Sequence, residues 1–364
     1  MRYPEFIKAG DTIGFVAPSF GCAMEPYISA FESAVDYFKD NGYKIKKGPN
    51  VYEGSGVGIS NTPKECGSEL TDMYCDNTCK LLLSCGGGEL MCEILPHMNL
   101  ERIGESIPKW FGGYSDNTNF TFINTVINDV ATIYGPCAGA FGMRPFHQCI
   151  LDYYRILTGD FAGEDNDRFI TFKGYDKWEK ESLKSPQNPL ATINDTEKSA
   201  VKAYVGNNFL TDDSDIRSFT GKDRLSFSGR MIGGCMDVLV NLLGTRFDKV
   251  SSFLEKYKED GFIWFLESCD LNVFSIRRAM WQMEQAGWFK YVKGFVIGRP
   301  LVMGQEMMGL DQYQAVLGII GEMNVPVLMD IDIGHISPSM PVICGSIGEV
   351  TYHTSGYSIT YHLK

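Results

Sequence analysis

The chain has 364 residues, 44% of them apolar and 21% charged, and a net charge of −12. That length supports two domains with sizeable cores, and the composition is that of an ordinary globular protein. The acidic balance, with no basic cluster anywhere, excludes a general nucleic-acid or anionic-membrane surface, which needs many Lys and Arg to neutralise phosphates. No apolar run is long enough to span a bilayer, and the start of the chain lacks a basic segment followed by an apolar stretch and a cleavage-like motif. The eleven cysteines lie mostly among apolar neighbours, as in a reducing compartment where cysteine serves as a small hydrophobe. A cytoplasmic location is therefore expected. Cys75 and Cys79 form the one closely spaced pair considered for a metal, but it lacks a second pair or a nearby histidine. Neither a metal nor a cofactor is expected.

Thr12 to Ala17 is a short apolar run ending in Pro18-Ser19, the pattern of a buried parallel strand followed by a loop. Ile28, Phe31, Ala34, Val35 and Phe38 recur at helical spacing, and Asn41-Gly42 supplies a stop. Tyr43 to Lys46 reads as the next strand, Pro63 to Tyr74 as an amphipathic helix and Lys80 to Ser84 as a very apolar strand. This alternation predicts a doubly wound α/β layer, with chemistry carried on loops at the carboxyl ends of strands.

Cys85-Gly86-Gly87-Gly88-Glu89 follows the Lys80 to Ser84 strand directly. Successive glycines let the backbone approach a ligand and leave N–H groups free for an anion, although a plain tight turn has the same composition. No Gly-Lys-Ser/Thr follows, and no G-x-G-x-x-G frame fits a nucleotide site. Ile107 to Gly113 gives a further strand, and Tyr114-Ser115-Asp116 lies at its end ahead of a helical segment. A serine hydroxyl presented at such a turn can act as a nucleophile, although Gly-x-Ser is only half of the hydrolase elbow and Asn117 replaces its second glycine.

Ile133 to Pro136 reads as strand and turn, and Phe146 to Leu157 as a helix. From 158 to 219 charges, Asn, Pro and Gly mix with isolated aromatics, including Phe172, Tyr175 and Trp178. This segment is expected to connect an N-terminal α/β domain (1–157) to a C-terminal domain (220–364), or to fold over the active site as a lid, with its aromatics packing on the domain beneath or stacking on a substrate. Gly229 to Thr245 reads as a glycine turn and an apolar helix. Phe262 to Leu266 is a buried strand closed by Glu267, which is either a helix cap or an oriented acid. Of the five histidines, His335 alone follows a glycine at the end of an apolar strand (Val327 to Ile333). Pro341 to Tyr361 alternates as β-strands do and is expected to complete the second domain.

Taken together, GDTIGFVAPS, CGGGELMCEILP, GGYSDNT, GGCMDVLVNLLGT, FLES, VKGFVIGRP and GHISPSMPVICG resemble the LD-carboxypeptidases, a serine peptidase family that includes the microcin C immunity peptidases. The resemblance spans nearly the whole chain. It implies a Rossmann-like N-terminal layer and a smaller, β-rich α/β C-terminal domain. It also implies Ser115 as nucleophile, His335 as general base and acid, and Glu267 as the carboxylate orienting the imidazole, each type suited to its role. The oxyanion hole would use backbone N–H groups of Gly87 or Gly88 and of Asp116.

The tyrosine in Tyr134-Gly135-Pro136 and the Gly298-Arg299-Pro300 sequence resemble the immunity branch, and Glu89 departs from the cell-wall branch, which often has tyrosine there. Ser268 and Cys269 depart from both branches. Asn117 departs as well, with little consequence expected. The substrate implied is an aminoacyl-nucleotide-type conjugate or short peptide, with Trp178 as the candidate for stacking on a base, and the assembly implied is a homodimer. A muramoyltetrapeptide carboxypeptidase of murein recycling and a non-catalytic binding protein are the alternatives.

Overall fold

The computed structural model describes residues 1–164 and 168–364. The chain divides into two compact units. The first comprises Met1–Phe161, Glu179–Asn194 and Pro341–Cys344, and the second Ala162–Trp178, Asp195–Met340 and Gly345–Lys364.

The first unit is built on a six-stranded sheet. Across it the strands run Lys44–Lys47, Thr12–Val16, Cys79–Ser84, Trp110–Gly113, Thr132–Tyr134 and Val342–Cys344. The first five are parallel and the last pairs antiparallel to Thr132–Tyr134. Interior strands of such a sheet are covered on both faces, which is why Leu81, Leu82, Leu83, Trp110 and Phe111 form unbroken apolar runs with no exposure. The helix Tyr27–Asp40 buries Ala30, Phe31, Ala34, Val35 and Phe38, and Phe31 meets Phe15 of the sheet edge-on at 5.1 Å. Burying a Phe or Val side chain of this set stabilises the fold by about 1.5–3 kcal/mol. The helix Pro63–Cys75 begins where Thr62 accepts the Glu65 N–H and proline occupies the first turn.

The second unit carries a nine-stranded mixed sheet in the order Asn208–Leu210, Lys202–Val205, Pro326–Ile331, Val292–Gly298, Phe262–Glu267, Leu225–Cys235, Ile347–His353, Gly356–Leu363 and Arg168–Lys173. Its four central strands, from Pro326–Ile331 to Leu225–Cys235, are mutually parallel. The flanking strands pair antiparallel. The protein is thus a two-domain α/β protein, with a parallel-sheet N-terminal domain and a mixed, β-rich C-terminal one, as the sequence predicts. Among the described residues no helix is long and apolar enough to cross a membrane.

Three local expectations need correction. The segment 158–219 is not a plain connection. It supplies the strands Arg168–Lys173, Lys177–Glu179, Asp195–Lys198, Lys202–Val205 and Asn208–Leu210 and the helix Asp213–Thr220, and its residues divide between the two units. Gly229 to Cys235 is the end of a strand rather than a turn: at Gly233, with φ 149°, an added Cβ would stand 1.7 Å from the Phe265 carbonyl oxygen of the neighbouring strand. Finally, Val342–Cys344 belongs to the sheet of the first unit rather than to the second.

Candidate active site

In the first unit the strand Trp110–Gly113 delivers the chain to Ser115 at the carboxyl end of the parallel sheet, where open α/β sheets bind ligands. Ser115 has φ 61°, in the left-handed region that L-residues other than Asn and Asp rarely enter. The helix Thr118–Asn128 starts three residues later. The Ser115 N–H donates to the Tyr134 hydroxyl at 3.1 Å, which fixes the turn from the next strand of the sheet.

The glycine turn stands beside this serine. A Cβ added to Gly87 would lie 3.3 Å from Ser115 Oγ, whereas one on Gly88 would run into Ser19 Oγ and the Gly58 carbonyl. Gly87 is therefore the glycine that faces Ser115. The Gly87 carbonyl accepts the Phe20 N–H at 2.8 Å, while the backbone N–H groups of Gly87, Gly88 and Asp116 find no acceptor among the described residues. Donors of this kind can hold a developing oxyanion.

Asp116 and Asn117 lock the two turns together. The buried Asp116 carboxylate accepts from Ser19 Oγ (2.6 Å), the Met91 N–H (2.9 Å) and Asn119 Nδ2 (3.0 Å). Burial pushes its pKa up to about 6, against these hydrogen bonds, which pull it down. Asn117 Nδ2 donates to the Gly86 carbonyl at 2.8 Å and to the Tyr114 carbonyl at 3.1 Å.

In the second unit Glu267 closes the strand Phe262–Glu267 and is fully buried. Its Oε2 lies 2.8 Å from His335 Nδ1. Gly334 permits this approach: it has φ 107°, and a Cβ there would come within 2.6 Å of Glu267 Oε2. Burial pulls the His335 pKa down, but the Glu267 charge and the Cys269 thiol beside the ring outweigh it and push the pKa up. Glu267 does not cap the following helix, because Asn272 does so by accepting the Ser275 N–H at 2.9 Å. The loop carrying His335 is closed by the Met340 N–H donating to the Asp332 carbonyl at 2.6 Å.

Behind that loop, Arg299 and Asp332 form a buried ion pair. Asp332 Oδ2 also accepts the Tyr175 N–H and the Tyr357 hydroxyl, both at 2.8 Å. The Arg299 guanidinium lies 5.8 Å from the centre of the half-buried Trp178 ring. One potential metal-binding group occurs among the described residues, Cys235 with Glu267 and His335, its ligand atoms all within 4.8 Å of one another. Cys75 and Cys79 take part in no such group.

Ser115, Gly87, Gly88 and Asp116 are thus gathered within the first unit, and Glu267, His335 and Trp178 belong to the second. Sequence reasoning gave no role to Tyr134, Asn117 or Cys235. The partners Ser115 of Tyr134 and Gly86 of Asn117 lie far along the chain, which no local spacing encodes, and the Asn117 departure, expected to have little consequence, instead ties two turns together.

Residues 13–135 match the profile described as the LD-carboxypeptidase N-terminal domain, and residues 228–350 that of the LD-carboxypeptidase C-terminal domain. Among solved structures, an MccF-like protein from Bacillus anthracis str. Ames is similar, with a TM-score of 0.78 and 20% identity over 100% of this chain and 99% of that one. MccF in complex with glutamyl sulfamoyl guanosine gives 0.77 and 20% over 99% and 98%. An MccF-like protein from Streptococcus pneumoniae in complex with AMP gives 0.70 and 17% over 97% and 99%. At these identities the likeness establishes a shared fold. A comparison with curated proteins gives no match.

Proposed function

Because the chain belongs to the LD-carboxypeptidase family, we propose that it is a serine hydrolase that cleaves the amide of an aminoacyl-nucleotide-type conjugate or of a short peptide. Ser115 Oγ attacks the carbonyl carbon while its proton passes to His335. Glu267, bonded to Nδ1 at 2.8 Å, holds the ring in the tautomer whose other nitrogen accepts that proton, and stabilises the cation formed. The N–H groups of Gly87 and Asp116 take the tetrahedral oxyanion, each donor worth about 3 kcal/mol in the transition state. Collapse expels the amine, which takes the proton from His335, and water then releases the acyl group through the same base.

The observation that carries this reading is the left-handed backbone of Ser115 at a strand-to-helix turn, with Gly87 beside its hydroxyl. A hydroxyl held in so uncommon a backbone geometry is the mark of a nucleophile elbow. The aminoacyl-nucleotide class is supported by the shared fold with MccF, whose solved complex holds glutamyl sulfamoyl guanosine.

The test is labelling by a fluorophosphonate together with hydrolysis of an aminoacyl-sulfamoyl-adenosine and of a muramoyl tetrapeptide, each with the parent chain and with Ser115→Ala. Labelling at Ser115 and turnover lost in the variant are expected. A parent chain that neither labels nor turns over either compound favours the non-catalytic binding protein, and turnover of the tetrapeptide alone assigns the muropeptide class.

A further inference from the structure

We propose that Cys235, Glu267 and His335 form a binding site for a thiophilic divalent cation, Zn2+ above all, and that its occupation switches off the Glu267–His335 pair. The switching half rests on the hydrolase reading. The binding half does not.

The three donors are assembled by the sheet. Cys235 and Glu267 are register partners at the ends of neighbouring parallel strands, and His335 is already bonded to Glu267. All three ligand atoms lie within 4.8 Å of one another. Zinc bonds of about 2.3 Å to sulfur and about 2.0–2.1 Å to nitrogen and oxygen put tetrahedral ligands roughly 3.3–3.7 Å apart. Small side-chain rotations on a rigid frame are enough to reach that spacing. A thiolate and an imidazole favour zinc over magnesium or calcium, which take oxygen ligands.

The surroundings suit a metal as well. Cys235 is 2% exposed and Glu267 is fully buried, so water competes poorly for these donors. Asp237 stands behind the sulfur: its Oδ2 lies 3.4 Å from Cys235 Sγ, and its carboxylate is held by the Cys269 and Asp270 N–H groups at 3.0 and 2.8 Å. When the metal–sulfur bond forms, the Cys235 thiol proton leaves to solvent. The metal also takes the His335 Nδ1 lone pair in place of the hydrogen bond to Glu267, the ring proton passing to Nε2, so His335 can no longer accept a proton from a serine hydroxyl.

The experiment uses the full chain stripped with EDTA. Calorimetric titration with Zn2+ should give one equivalent bound, and Co2+ should give the near-ultraviolet charge-transfer absorption of a cobalt–thiolate bond. Cys235→Ser and Cys235→Ala, run side by side with thermal unfolding as a check on folding, should each weaken zinc binding at least about tenfold and abolish that absorption. Zinc should inhibit the parent reversibly, with EDTA restoring turnover, and should inhibit the variants far less relative to their own metal-free rates. A parent chain that binds no zinc, variants that bind as tightly as the parent, or binding abolished instead by Cys75→Ser would overturn the site. Binding with the charge-transfer band but undiminished turnover would overturn the switch. The calorimetric and optical readouts need no activity, so failure of the hydrolase reading leaves them decisive.

Discussion

Asn117 Nδ2 donates to the Gly86 carbonyl at 2.8 Å, tying the turn that presents Ser115 to the glycine turn that faces it. The same amide holds the Tyr114 carbonyl, so one buried side chain sets the spacing of two loops. Asn117→Ala leaves both carbonyls without this donor, which should cost about 1–3 kcal/mol of stability. Turnover should fall as well, because Gly87 would no longer be held against Ser115. Urea unfolding and steady-state kinetics check the two effects. A stable variant with parental turnover would reduce Asn117 to packing.

Glu267 and Asn272 separate two roles that stand close in the chain. Asn272 is the helix cap, so Asn272→Ala should lower stability by about 1 kcal/mol with little change in rate. Glu267→Gln should do the reverse, lowering kcat on the order of 10³- to 10⁴-fold with stability nearly kept, by analogy with a triad whose carboxylate is made an amide. Measuring both quantities for both variants decides the matter. A rate loss in Asn272→Ala as large as that in Glu267→Gln would dissolve the distinction.

Residues that act as one catalytic group lose their effect only once. Ser115→Ala and His335→Ala should therefore each abolish most of the turnover, and the double variant should be no slower than the slower single one. Multiplicative losses would mean that the two residues work independently, contrary to the proposed mechanism.

Glu69 offers a pH test of the first unit. Its carboxylate accepts the Asn50 and Ala17 N–H groups at 3.1 and 3.2 Å, yet burial outweighs them and pushes its pKa from 4.5 up to about 7. At low pH both folded and unfolded chains carry this proton. Between the two pKa values only the folded chain keeps it, so stability drops as pH rises through that window and levels off above it. At about 1.4 kcal/mol per unit the fall reaches roughly 3 kcal/mol. Glu69→Gln lacks it, so the Tm of the parent minus that of the variant should be smaller near about pH 7.5 than near about pH 5. A gap that does not change with pH would contradict the assignment.

What the sequence disclosed follows from how each element is buried. Thr12–Val16, Cys79–Ser84 and Phe262–Glu267 each lie between parallel neighbours, and apolar stretches such as Leu81–Leu83 and Phe262–Leu266 announce them. Arg168–Lys173 buries one face at a sheet edge, so polar residues alternate along it, and among the charges of 158–219 it looked like connection. The glycines of Gly229 to Cys235 suggested a turn because their role, close approach of a neighbouring strand, is invisible without that strand. The candidate residues Ser115, Glu267 and His335 were legible because each ends an apolar strand. Asn117 was not, since its partner Gly86 lies 31 residues away, and nor was Cys235, whose neighbour Glu267 is reached only through strand pairing.

Trp178 offers a test of substrate choice. Its ring is half-buried, and the Arg299 guanidinium lies 5.8 Å from its centre. Arg299 is in turn held by the Asp332 carboxylate and by the Asp330 carbonyl at 2.9 Å. An indole steadied by a fixed cation is a suitable platform for a nucleobase, and stacking a base on such a ring contributes about 1–3 kcal/mol. A muramoyl tetrapeptide has no base and gains nothing from it. Trp178→Ala should therefore lower kcat/KM on an aminoacyl-sulfamoyl-adenosine by roughly 5- to 150-fold, the equivalent of that energy, and leave the rate on the tetrapeptide nearly unchanged. Trp178→Phe should fall between, because a smaller ring still stacks. Equal losses on both substrates, or none on either, would assign the indole to packing alone and remove the nucleobase from the proposed recognition.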